Sequence, residues 1–69
     1  MASGRYEPRM VRANPDYYVM EWVTEEGIAV RDGVEMTEQE LRAALKMKWS
    51  RTDTEIDQLI SEAQDKFAA

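Results

Sequence analysis

The chain is expected to fold as a small α+β domain, an antiparallel β-hairpin or three-stranded meander followed by a two-helix hairpin. Three observations lead there. Residues 17–23 are an aromatic and β-branched run suited to a pleated, half-buried surface. Glycine-bearing turn signals follow at Gly27 and Gly33. Two Thr-x-x-Glu sequences, beginning at Thr37 and Thr52, have the form of capping boxes, and each precedes a stretch with helical periodicity. With 69 residues there is one domain at most. A chain of this size buries only about 60% of the surface its unfolded form exposes, which argues against a deep catalytic cleft.

Taken in order, residues 1–16 mix Gly4, Pro8, Asn14 and Pro15 with Arg5, Arg9 and Arg12 and show no period of two or of 3.6. They read as a flexible N-terminal arm, leaving residues 17–69 as a single ββ(β)αα domain. In the first strand Tyr18, Met20 and Trp22 alternate with Tyr17, Val19, Glu21 and Val23, so both faces are largely apolar. One face is expected to meet the core and the other a partner or the arm. Thr24-Glu25-Glu26-Gly27 is a tight connection, with Gly27 available for a positive φ, and Ile28-Ala29-Val30 is the returning strand. Asp32-Gly33 suits a second hairpin turn, which would make Val34-Glu35-Met36 a third strand of a meander; otherwise these residues lead directly into the helix.

The first helix starts at Thr37 and buries Leu41, Ala44 and Leu45, with Lys48 or Trp49 extending the stripe. Arg42, Lys46 and Lys48 fall in its second half, where cations complement the negative end of the helix dipole. It ends near Ser50. After Thr52, Ile56, Leu59, Ile60, Ala63 and Phe67 keep a 3.6-residue period without a break.

Composition excludes more than it identifies. The chain has no cysteine and no histidine, so disulfides, the usual zinc ligand sets and the commonest catalytic base and nucleophile are all missing. There is no glycine-rich phosphate loop. No apolar run approaches the length of a membrane span or of a signal peptide core. A cytoplasmic, non-catalytic protein without cofactor or metal is therefore expected. Asp53, Glu55 and Asp57 are spaced like the first ligands of a calcium loop, but Gln58 stands where such a loop turns on glycine and Gln64 where it ends on a bidentate glutamate. Dipole-favoured acids at a helix start explain them better.

Charge is segregated along the chain, whose net value is −5. Arg42, Lys46, Lys48 and Arg51 form a basic stretch that serves either as helix-end solvation or as an anion or nucleic-acid patch. A helix-turn-helix reading is opposed by Asp53, Glu55, Asp57, Glu62 and Asp65 on the helix that would approach phosphates. Single strands stacking on Trp49 would suit the basic set better.

Large side chains outnumber what so small a core easily encloses. Tyr17 and Val19 on the second strand face, and Met47 with Trp49 at the end of the first helix, are the expected partner-binding residues. The leading expectation is a small protein-interaction module: an adaptor, inhibitor or accessory subunit that binds another protein. The alternatives are a nucleic-acid-associated regulator using the basic stretch and an acidic mimic of nucleic acid that occupies a basic groove. A homodimer is also expected, because a small sheet has an unpaired edge and a core without disulfide or metal gains from added burial.

Overall fold

A computed structural model describes residues 3–69. The elements run β1 (Gly4–Arg12), β2 (Tyr17–Thr24), β3 (Ala29–Arg31), β4 (Met36–Thr37), α1 (Glu38–Met47) and α2 (Asp53–Ala68). The α+β class, with an antiparallel sheet preceding two helices, is as expected. Two features of the sheet are not.

The first is β1. The segment expected to be an arm holds a nine-residue strand that pairs antiparallel with β2 from Gly4 opposite Thr24 to Arg12 opposite Tyr17. Its alternation is real but hidden by composition: Tyr6, Pro8 and Met10 face the helices, while Arg5, Glu7 and Arg9 face outward. Proline and arginine supply the members of a period-two pattern that a search for aliphatic residues passes over. Gly4 is required by close approach, since a Cβ there would lie 2.5 Å from the Val23 carbonyl oxygen and 2.8 Å from the Trp22 ring. The sheet thus crosses the expected boundary at residue 17.

The second is the partner of the last strand. Residues 24–28 close the β2–β3 hairpin as foreseen, with the Gly27 N–H donating to the Thr24 carbonyl at 2.9 Å and Gly27 at φ 83°. Asp32-Gly33, however, is not a hairpin turn. Met36 pairs with Tyr18 and Thr37 with Tyr17, so β4 lies on the same edge of β2 as β3 and runs in the same direction. Residues 32–35 bulge out between them. The Asp32 N–H still donates to the Met20 carbonyl at 2.8 Å, and Gly33 at φ 107° then turns the chain away. There is no meander through Val34, which is 78% exposed.

Both capping boxes form. Thr37 Oγ1 accepts from the Glu40 N–H at 3.2 Å and the Glu40 carboxylate accepts from the Thr37 N–H at 3.0 Å; the pair Thr52 and Glu55 repeats this at 3.2 and 2.9 Å. The turn between the helices has Ser50 at φ 53° and an Arg51 N–H donating to the Leu45 carbonyl at 3.0 Å. α1 and α2 cover one face of the sheet. Between them lie Met10, Tyr18, Met20, Leu41, Leu45, Ile56, Ile60 and Ala63, with Tyr6, Met36, Trp49 and Leu59 packed at the margin. The Tyr18 hydroxyl accepts from Gln64 Nε2 at 3.1 Å, and burial raises its pKa above the ordinary tyrosine value.

Candidate functional site

The four residues expected to bind a partner do not form one exposed surface. Val19 alternates onto the outer sheet face, away from the helices, yet it is fully buried. Tyr17, on the same face, is half-buried with the Arg12 guanidinium 4.7 Å from its ring centroid, and Arg12 also pairs with Glu35. Trp49 packs inward against Tyr6, with ring centroids 5.7 Å apart, and Tyr6 in turn meets Trp22 at 4.9 Å. Only Met47, 82% exposed, is offered to solvent as foreseen.

The basic stretch is largely neutralised from within. Arg42 bonds Asp57 at 2.7 Å and Glu38 at 3.2 Å, and these carboxylates raise its pKa further. Lys46 approaches Asp53 at 3.3 Å, and Arg51 lies 3.9 Å from Glu55. Lys48 alone of the four makes no ion pair among the described residues. Asp53 and Asp57 of α2 are thus counter-ions of α1 and Glu55 of the turn residue Arg51, while Glu62 and Asp65 make no ion pair among the described residues. Among the described residues no cluster of three carboxylates is placed to hold a metal ion, and Asp53, Glu55 and Asp57 sit on continuous helix.

Charge on the outer face is balanced in the same way. Arg9 lies 3.8 Å from Glu21, and Glu7 accepts from Arg5 at 2.8 Å and from Lys66 at 3.4 Å. Burial pushes the Glu7 carboxyl up, but Arg5 and Lys66 outweigh it and hold the group below its usual range. Lys66 comes from the last turn of α2, so this pair ties the end of the chain to β1.

What the structure does leave open is the edge of β3. Ile28 is 61% exposed and Val30 56%, with Val34 beside them on the bulge. β3 is the last strand on its side of the sheet. The hydrogen bonds from Thr24 to Ile28 and from Asp32 to Met20 show which residues face β2: Ile28, Val30 and Asp32. By antiparallel alternation Ala29 and Arg31 therefore direct their N–H and C=O groups away from the sheet. The opposite edge differs. Met20 directs its carbonyl to Asp32, so Pro8 across from it on β1 turns its nitrogen outward, where it has no hydrogen to offer, and α2 packs along β1. The β1 edge is interrupted by proline, although the backbone groups of Tyr6 and Met10 also point outward there, whereas the β3 edge presents unpaired donors and acceptors beside exposed apolar side chains.

Sequence reasoning expected an unpaired sheet edge but not its place, because in the meander reading Val34-Glu35-Met36 pairs with β3 and covers this one. The available signal was the shortness of Ile28-Ala29-Val30 between two acidic turns. No family model, no curated protein and no solved structure matches the chain. Among the described residues no helix is long and apolar enough to cross a membrane.

Proposed function

We propose that the protein is a small, non-catalytic interaction module that binds another protein, and that the β3 edge is its contact surface. The observation that carries this is the open edge itself: unpaired backbone groups at Ala29 and Arg31, flanked by exposed Ile28, Val30 and Val34. Exposed apolar groups in a row beside free main-chain donors match the requirements of strand addition. Absence of histidine and cysteine from the sequence supports the non-catalytic part, and a cysteine-free chain is compatible with the reducing cytoplasm we assign to it. Met47 is a second, smaller contact. The internal pairing of Arg42, Lys46 and Arg51 leaves the nucleic-acid reading with less free positive charge than the sequence suggested.

The test is affinity capture from native lysate with three baits: the natural chain, Ala29→Pro and Met47→Ala. Proline at position 29 removes an outward N–H without touching the β2–β3 ladder, so the bait remains folded. Proteins held by the natural chain and by Met47→Ala, but released by Ala29→Pro, support the edge. An unchanged set of proteins on all three baits refutes it.

A further inference from the structure

Resting on the edge reading above, we infer that the occupant of β3 is an extended, positively charged segment of another protein, apolar at its centre and carrying lysine or arginine at both ends. The charges beside the edge set this choice. Glu25 and Glu26 stand at one end of β3 and Asp32 and Glu35 at the other; the cations near them are Arg31 within the strand and Arg12, which pairs with Glu35. Among the described residues Glu25, Glu26 and Asp32 make no ion pair. The negative charge of Asp32 raises the pKa of the nearby Tyr6 hydroxyl. The two acidic groups are separated by Gly27 and residues 28–31, the latter a length of strand of about 13 Å at its usual rise. A segment adding there finds two main-chain partners in the middle, Val30 and Ile28 beside its apolar residues, and carboxylates at each end.

A second copy of the chain fits worse. Because only Ala29 and Arg31 point outward, antiparallel self-pairing has three registers that match outward residues with each other. Centred on Ala29, Glu26 meets Asp32 of the second copy; centred on Val30, Glu25 meets Glu35; centred on Arg31, the guanidinium meets itself. Each register sets like charges opposite, and each joins two molecules of net charge −5. This argues against the homodimer at this edge.

The experiment uses a fluorescein-labelled peptide, Lys-Lys-Val-Thr-Val-Thr-Lys-Lys, with two controls: the same peptide with glutamate for lysine, and the lysine peptide N-methylated at the amides that would bond to β3. Anisotropy titrations at two salt concentrations are combined with amide hydrogen exchange on the full chain. The lysine peptide is expected to bind more tightly at low salt, and to slow exchange at Ala29 and Arg31 by about tenfold when present at ten times its Kd. N-methylation is expected to weaken it at least about tenfold, and Ala29→Pro to abolish the protection while leaving the rest of the amide spectrum in place.

Equal binding of the glutamate peptide, or protection centred on Met47 and Lys48, overturns the inference. So does a concentration-dependent doubling of mass in light scattering that protects Ala29 and Arg31 without any peptide. If no peptide protects the edge while Ala29→Pro still releases captured proteins, the edge remains the contact surface and its basic, extended occupant is wrong. If Ala29→Pro releases nothing, both fail.

Discussion

Ile60→Asp tests the placement of α2 on the sheet. Ile60 is 3% exposed and sits in the cluster that joins Met10, Tyr18 and Met20 of the sheet to Leu41 and Leu45 of α1. Truncation to alanine at such a site costs about 2–5 kcal/mol, the range set by how far the surroundings collapse. A domain of 69 residues has a total stability of roughly 3–10 kcal/mol. Ile60→Ala is therefore expected to lower the melting temperature by at least about 8 °C. Aspartate at the same place adds the cost of a carboxylate with no buried cation to meet it, since the core contains no charged residue. The variant should be unfolded at 25 °C. The assay is urea denaturation followed by the fluorescence of Trp22 and Trp49, which report on the sheet and on the α1–α2 turn. Ser61→Asp, one residue along and exposed, is the control and should change stability by less than about 0.5 kcal/mol. A cooperative transition for Ile60→Asp within 1 kcal/mol of the natural chain would refute the helix phase.

Trp49→Ala should cost about 2 kcal/mol or more in the same assay and Met47→Ala less than about 0.5, because the first ring packs on Tyr6 and the second side chain is 82% exposed; equal costs would contradict this placement. Backbone order parameters for residues 4–12 should reach about 0.85, the value of rigid structure, whereas values below about 0.6 would restore the flexible arm. Stability should decline in acid. Glu7 and Glu55 titrate below their unfolded values, so their contribution is complete above the unfolded pKa of about 4.3 and is lost as pH falls through their lower folded values. Glu7→Gln should flatten that acid limb, and an unchanged limb would remove the Arg5–Glu7–Lys66 link from the account. Tyr18 has the opposite sign: its contribution is complete below about pH 10 and is lost as pH rises through its raised folded value, so Tyr18→Phe should flatten the alkaline limb.

The helices were legible in the sequence because their signals are local. Capping boxes at Thr37 and Thr52 act within four residues, and the stripe Ile56, Leu59, Ile60, Ala63 repeats with the helix itself. Phe67 keeps the period but is 45% exposed. The sheet was legible only where its turns are local. Strand β2 and the Gly27 turn were foreseen, whereas the pairing of β4 depends on residues 32–35 bulging rather than turning back, a choice decided by contacts with Tyr17 and Tyr18 far along the chain. β1 was missed for a related reason. Arg5, Glu7 and Arg9 form its outer face, and their ion pairs with each other, Glu21 and Lys66 exist only after folding.

The binding residues illustrate how the same features mislead when read one at a time. Both faces of β2 are apolar, and a free face seemed to call for a partner. In the structure that demand is met largely within the chain: the helices take Tyr18 and Met20, Arg12 stacks on Tyr17, and Val19 is buried on the face where Arg9 pairs with Glu21. The unmet demand lies at right angles, in the hydrogen-bonding direction. A strand buried on both faces needs a neighbour on each edge, and β1 supplies one of full length. β3 and β4 supply the other in two short pieces, leaving Ala29 and Arg31 with no strand beyond them. Shortness and charge keep such an edge from pairing with its own kind. Acids at both ends make that exclusion selective, because the charges that repel a second copy attract a basic strand.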